Sequence, residues 1–334
     1  MTRVAIQSFD DPDRYFSAIR AMKGTGFVLP RRGAFEAKLT QLDFGRVWLQ
    51  SGSETLARSG HMSVDHERRP IGFLADESVQ PVTLSGAELP VDHIAFFSPG
   101  ATQYQRSFGS LRWSAMSLAP EDLEEASRRV ADQVINVPSS TRYIGPPAAQ
   151  LARLRRLHRE AVSLAESSSP VLRNSVAAIH IESDLTHAMI SCLTVGEEKR
   201  FHRAWYRHKH IMDRFEQWVD AHPDRPAHLL EVCADIGISA RSLTLCCQEQ
   251  LGMSPVRYLW MRRMKLARRA LQEAGPSTTV TVIALSYGFS HLGRFSVGYR
   301  SLFGELPSAT LAQWPKIGEC IPALRKTSQF ARTG

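Results

Sequence analysis

Val232-Cys233-Ala234-Asp235-Ile236-Gly237-Ile238-Ser239 returns about fifty residues later as Ile283-Ala284-Leu285-Ser286-Tyr287-Gly288-Phe289-Ser290. Each copy has an apolar and a small residue, three further positions, then Gly, an apolar residue and Ser. A helical segment follows each copy, with Leu243 and Cys247 expected to face inward in the first and Phe295 and Tyr299 in the second. A short helix, a Gly where the chain must turn tightly and a Ser capping the next helix describe a helix-turn-helix. Two copies with a basic helix between them imply a double DNA reader.

Charge follows the same division. Residues 225–334 carry 14 Lys and Arg against 6 Asp and Glu, while residues 1–224 carry 27 of each. The whole excess of +8 therefore lies in the C-terminal third, as expected of a polyanion-binding surface. The 334 residues suffice for two domains and a connecting module. No run approaches the roughly 18 apolar residues that cross a bilayer, and the first residues lack the apolar core of a leader. A soluble, cytoplasmic protein with no membrane contact is expected. The five cysteines begin at Cys192, so no disulfide framework runs through the chain. Cys233 and Cys247 read as small core residues, and Cys246-Cys247 lacks metal-ligand spacing.

The fold class expected is α+β and multidomain: a β-rich N-terminal domain, a helical connector and an all-α C-terminal domain with two helix-turn-helix units joined by a long helix. Over residues 1–135, short segments such as 35–44, 45–50, 71–74 and 93–97 alternate with turn signals, in the manner of a sandwich or small barrel. Residues 121–134 read as a helix with an acidic first turn. The stretches 137–141 and 145–147 read as linker. Helices are then expected over 148–166, through 176–193 and over about 201–221, either packing within the chain as a connector or forming a dimer interface. The boundaries are 1–135, 136–224, 225–320 and a C-terminal tail of 321–334, with Pro223-Asp224-Arg225-Pro226 marking the start of the DNA reader.

Within that reader the first recognition helix should run from Ser239 to about Leu251. Ser254 then caps, and Pro255 opens, a helix reaching Ala274 before Gly275-Pro276. It carries Arg257, Arg262, Arg263, Lys265, Arg268 and Arg269, and at 1.5 Å per residue spans roughly 30 Å. Successive major-groove faces lie about 34 Å apart, so such a spacer suits two reading heads in adjacent grooves. Some of its charges should only solvate an outer face, with one or two meeting phosphates.

Residues from about Leu230 to Leu311 resemble the DNA-binding domain of the AraC/XylS family of bacterial transcription regulators. The resemblance rests on Gly237-Ile238-Ser239, Leu243, Leu251-Gly252-Met253-Ser254-Pro255, Ala267-Arg268, Gly288-Phe289, Phe295-Ser296, Tyr299-Arg300, Phe303-Gly304 and Pro307-Ser308. Cys247 departs from it, standing where the family commonly has a large aromatic. So does the second reading helix, where Leu292, Gly293 and Val297 leave few polar base readers. The resemblance implies base contacts from Arg241, Ser242, Thr244, Leu245 and Gln248 in the first unit, and from His291, Gly293, Arg294 and Ser296 in the second. Arg can pair with guanine, Gln with adenine, and Leu can pack on a thymine methyl. Ser239, Arg257, Arg262, Lys265 and Arg300 are assigned to the DNA backbone.

Family members often carry a cupin-like β-barrel that senses a small molecule, and the strands here are similar to such a domain. His291-Leu292-Gly293-Arg294-Phe295 is similar to a subgroup including regulators of ethanolamine use. The metal-binding cupin pattern is missing: His61 and His66 are five apart and His93 stands alone, so no metal and no cofactor are expected. His208-Lys209-His210 reads as a solvated face. Trp48, Phe73, Phe96, Phe97 and Trp113 are available to line a pocket. The resemblance implies a sequence-specific transcription regulator, commonly an activator, whose partners are double-stranded DNA, RNA polymerase, a small-molecule effector and a second copy of itself. An enzyme fused to the same reader would need a catalytic constellation, and no phosphate loop, nucleophile elbow or N-terminal cysteine is present. A nonspecific architectural DNA binder is the remaining alternative.

Overall fold

The computed structural model describes residues 2–24, 27, 29, 33–75, 81–199, 203–222, 228–275 and 277–312. The expected 223–226 boundary, Pro276, Cys320 and the 321–334 tail lie outside them. The first strands and helix are β1 (Arg3–Phe9), α1 (Pro12–Ala18) and β2 (Met22–Gly24). They lead to β3 (Ala37–Asp43), β4 (Trp48–Glu54), β5 (Ser59–Val64), β6 (Arg69–Leu74), β7 (Val82–Leu84) and β8 (Ala87–Glu88). Next come β9 (Ile94–Phe96), β10 (Thr102–Ser107), β11 (Leu111–Leu118), α2 (Pro120–Ala131), β12 (Arg142–Gly145), α3 (Ala148–Glu166), α4 (Ser175–Val195) and β13 (Glu197–Glu198). The rest is helical: α5 (Arg203–Ala221), α6 (Leu229–Asp235), α7 (Ala240–Leu251), α8 (Pro255–Glu273), α9 (Val280–Ser286), α10 (Leu292–Phe303) and α11 (Pro307–Ala312).

These elements divide into two compact units. Residues up to Ala221 and those from 228 to Tyr258 form the first, and residues from Leu259 onward the second, so the division falls within α8. In the first unit an eight-stranded antiparallel sheet runs β1-β3-β4-β11-β6-β9-β12-β13, and a five-stranded one runs β2-β5-β10-β7-β8. The two-residue side-chain period sends alternate residues to opposite faces of the larger sheet. Ile71, Phe73, Ile94 and Phe96 meet Leu151 and Leu154 of α3 and Leu185 and Met189 of α4 in one core. Ala95 and Phe97 join Met62 and Val64 of β5 and Leu84 of β7 in another. The sheet is thus sandwiched between a smaller sheet and a layer of helices.

The helices expected over 148–166 and 176–193 are present, but α3 and α4 are that covering layer rather than a loose connector. The stretch read as linker also supplies a strand. In β12 Tyr143 pairs with Ala95 and is fully buried, its hydroxyl donating to the Leu84 carbonyl at 2.6 Å. The α2 helix stops at Ala131, short of the expected Val134, because Asp132 turns left-handed with φ of 53° and its N–H closes on the Arg128 carbonyl. No helix among the described residues is long and apolar enough to cross a membrane.

Candidate nucleic-acid interface

In the first helix-turn-helix, Gly237 takes φ of +59°, a conformation glycine adopts without a Cβ penalty. Ile238 N–H returns to the Cys233 carbonyl at 2.9 Å, closing the turn. Ser239 caps α7, its hydroxyl accepting from Ser242 N–H at 3.1 Å. Leu243 and Cys247 are fully buried as their spacing predicts, with Val232 of α6 behind them. The smaller thiol at position 247 is accommodated by a neighbour, its sulfur lying 3.8 Å from that of Met212 on α5. Burial raises the thiol pKa values of Cys192 to about 12 and Cys246 to about 11, consistent with inert core residues.

The second unit repeats the plan with one difference. Thr279 caps α9, Gly288 takes φ of +75°, and Phe289 N–H returns to the Ala284 carbonyl at 2.9 Å. Phe289, Phe295, Tyr299 and Phe303 then stack in sequence, with ring centroids 4.9, 5.6 and 4.6 Å apart. Ser290, however, does not cap the recognition helix. The cap position is His291, which makes no side-chain capping bond, and α10 starts at Leu292. Four positions separate Ser239 from Leu243 but five separate Ser290 from Phe295, so the extra residue displaces the serine. The end of α10 is held by a polar chain: Tyr299 hydroxyl to Thr310 at 2.8 Å, and Thr310 to Glu305 at 2.8 Å.

Each recognition helix leaves one face open. On α7, Arg241, Leu245 and Gln248 are exposed along one stripe, whereas Ser242 and Thr244 are half-buried. The Ser242 hydroxyl lies 2.9 Å from that of Ser239. On α10, His291, Gly293, Arg294 and Arg300 are exposed and Ser296 is half-buried. Beside them stands Val297, 73% exposed, a position that hydropathy alone assigns to a core. It shares the face of Gly293 and Arg294, four and three residues before it on the helix to which the sequence assigns it. A Cβ added at Gly293 meets nothing within 4 Å, so packing within the described residues does not require glycine there.

The basic residues of α8 divide by role. Arg263 stacks on Phe289 at 5.2 Å, with burial lowering its pKa, and Arg268 sits over Phe303 at 4.9 Å while pairing with Glu305 at 3.6 Å. Arg269 pairs with Glu273 at 2.9 Å. Arg257 is exposed, and Arg262 and Lys265 are half-buried.

The first reading unit is also fastened to the small sheet. Ser59 donates to the Leu251 carbonyl at 2.6 Å, and Tyr104 to the Met212 carbonyl at 2.6 Å. His208, expected on a solvated face, instead holds Glu249 of α7 at 2.6 Å. His61 is buried 3.2 Å from the Tyr258 hydroxyl and 3.5 Å from Glu216. With Asp220 these two bring ligand atoms within 4.8 Å of one another, the one described cluster with cation-binding spacing that the histidine pattern in the sequence missed.

Two glycine-turned helix-turn-helix units, each leaving one helix face with an arginine open, define a DNA-binding protein. Residues 232–313 match the family described as "Helix-turn-helix domain". The "Probable thc operon regulatory protein" of Rhodococcus erythropolis is 33% identical over 165 residues, covering 47% of this chain and 50% of that protein. The "XylDLEGF operon transcriptional activator 2" of Pseudomonas putida is 37% identical over 103 residues, covering 30% of this chain and 64% of that protein. A solved structure of a probable AraC family transcriptional regulator from Rhodopseudomonas palustris is 37% identical, covering 31% of this chain and 95% of that one, with a TM-score of 0.29. Residues 232–313 are therefore a helix-turn-helix domain of the AraC/XylS type. The chain spans about half to two thirds of the length of these two curated relatives.

Proposed function

We propose that the chain is a sequence-specific transcription regulator, an activator, that places α7 and α10 in adjacent major grooves. The observation that carries this reading is the pair of exposed helix faces on glycine-turned units, Arg241-Leu245-Gln248 and Gly293-Arg294-Val297. Base reading falls to Arg241, Ser242, Thr244, Leu245, Gln248, His291, Gly293, Arg294 and Ser296. Ser239, Arg257, Arg262, Lys265 and Arg300 hold the backbone.

The DNA reader is assigned to residues 225–320, a regulatory domain of cupin-like type to 1–135 and dimerisation to 136–224. Val176 and Ile179, one turn apart on α4 and more than 60% exposed, support a homodimer contact there. RNA polymerase is the partner an activator requires, and the cytoplasm is where it works. The regulatory domain binds a small molecule and does no chemistry on it. Its support is a cavity between the sheets of about 70 Å³, partly open to solvent. Phe73, Phe97 and Trp113 line it, while Phe96 lies in the helix-side core and Trp48 stacks with Arg68 at 4.2 Å.

Selection from randomised duplexes with the full chain, followed by affinity measurement at fixed salt, tests the reading. A regulator prefers its selected site by about a thousandfold or more over random DNA. Near-equal affinity for all sequences would instead identify an architectural binder.

A further inference from the structure

The cavity between the two sheets is walled mainly by Met22, Met62, Leu84, Phe97, Leu111 and Trp113. Glycines let two of its lining rings lie close against the backbone of the large sheet. A Cβ on Gly52 would lie 2.3 Å from the Trp113 ring, and one on Gly72 2.9 Å from Phe97. Few polar side chains enter. Gln50 is held at both ends of its amide, accepting from Arg20 N–H and Gln41 Nε2 at 2.8 Å each and donating to the Arg20 carbonyl at 2.9 Å. Gln105 donates only to the thioether of Met62, at 3.3 Å, a weak acceptor.

Arg58 is the notable group. It is 3% exposed, its guanidinium stacks on Phe16 and Phe27 at 5.2 and 4.6 Å, and its Nε lies 2.7 Å from Glu54 Oε1. That contact is an ion pair rather than a hydrogen bond, since neither Nε nor one terminal nitrogen has an aligned acceptor. Glu54 is equally buried, and where its carboxyl is ionised the pair is electrically neutral as a unit. Arg20, the other cation among the lining residues, reaches Asp43 at 3.8 Å. An incoming carboxylate would therefore find every lining cation already matched, and a buried anion without a counter-charge is strongly disfavoured. An uncharged acceptor faces no such penalty and supplies what Arg58 and Gln105 lack.

We propose that this cavity binds an uncharged molecule with an apolar, ring-sized body and one acceptor oxygen facing Arg58 and Gln105, and that it rejects the corresponding carboxylate. The proposal rests on the reading of residues 1–135 as a small-molecule sensor. Neutrality, rather than occupancy, is what it adds.

The test compares three probes of matched shape on the full chain by isothermal titration: 2-naphthamide, 2-naphthoate and naphthalene. It is run at pH 8, above the value of about 7 to which burial raises Glu54, so that the ion pair is charged. The amide should bind at least tenfold more tightly than either the acid or the hydrocarbon. Glu54→Gln leaves Arg58 without its counter-ion and should shift the preference toward the acid by tenfold or more. Where that variant does not fold, Gln105→Leu should bring the amide toward the affinity of naphthalene. Acid binding as tight as the amide's in the parent protein overturns the neutral-ligand proposal and leaves the sensor reading intact. Naphthalene binding as tight as the amide's removes any role for Arg58 and Gln105. No binding by any of the three overturns both the proposal and the sensor reading.

Discussion

Gly298 of α10 lies so close to Trp260 of α8 that a Cβ there would sit 2.8 Å from the indole ring and 3.0 Å from the Met264 methyl. The glycine is what lets the second recognition helix close on the long helix within its unit. Gly293, five residues earlier on the same helix, has open space instead. Their substitutions should therefore diverge. Gly298→Val should destabilise this unit by about 1–3 kcal/mol through overpacking. Gly293→Ala should leave stability unchanged or raise it by up to about 1 kcal/mol through helix propensity, while weakening DNA binding where the backbone approaches the duplex. Thermal unfolding without DNA and operator affinity separate the two effects; equal unfolding temperatures would show that Trp260 simply moves aside.

The two serines of the repeated motif should also differ. Ser239→Ala removes a capping bond and should cost about 1 kcal/mol, whereas Ser290→Ala should change stability by no more than a few tenths. Chemical denaturation of each variant in the absence of DNA reads this directly. Equal losses would mean that Ser290 caps α10 after all.

That asymmetry shows where sequence pattern reaches its limit. The repeat, its glycine turns and the inward Leu243, Cys247, Phe295 and Tyr299 were legible because local spacing determines them. The one-residue offset before Phe295 was equally visible in the sequence, yet its consequence depends on where the helix begins. Strand β10, Thr102–Ser107, was not legible: Gln103, Tyr104, Gln105 and Ser107 are buried, so polar side chains satisfied by distant partners replace the expected apolar alternation. Strand β12 was hidden by Gly145-Pro146-Pro147 at its end, and its pairing with the remote β9 and β13 makes it a strand. Val297 is placed by sequence on the second reading helix but left out of the base readers, because an apolar side chain offers no hydrogen bond to a base edge.

Base and backbone contacts should separate in binding data. Arg241→Ala should relax preference in one half of the site, costing about 1–3 kcal/mol against the preferred base. Arg262→Ala or Lys265→Ala should weaken every sequence alike and make the salt slope shallower by about one unit. Arg263→Ala should act mainly on stability, because its guanidinium covers Phe289. Uniform loss across all sequences for Arg241→Ala would move that residue to the backbone set.

His158 links α3 to the large sheet and should tie stability to pH. It is buried against Phe73 with its Nε2 donating to the Gln50 carbonyl at 3.0 Å, and burial lowers its pKa from 6.5 to about 4. Between these values the unfolded chain binds the proton and the folded chain does not. The stability His158 contributes is therefore full above pH 6.5 and is lost as pH falls through 4, about 3 kcal/mol in all. Glu54 works in the opposite sense: its value is raised from 4.5 to about 7, so its contribution is full below pH 4.5 and is lost as pH rises through 7. The parent protein alone would show the two partly cancelling. His158→Gln removes one of them, so the variant should lose less stability than the parent between pH 7 and pH 4.5 when both are followed by denaturant unfolding. Parallel curves over that window would mean that the imidazole is charged in the folded state.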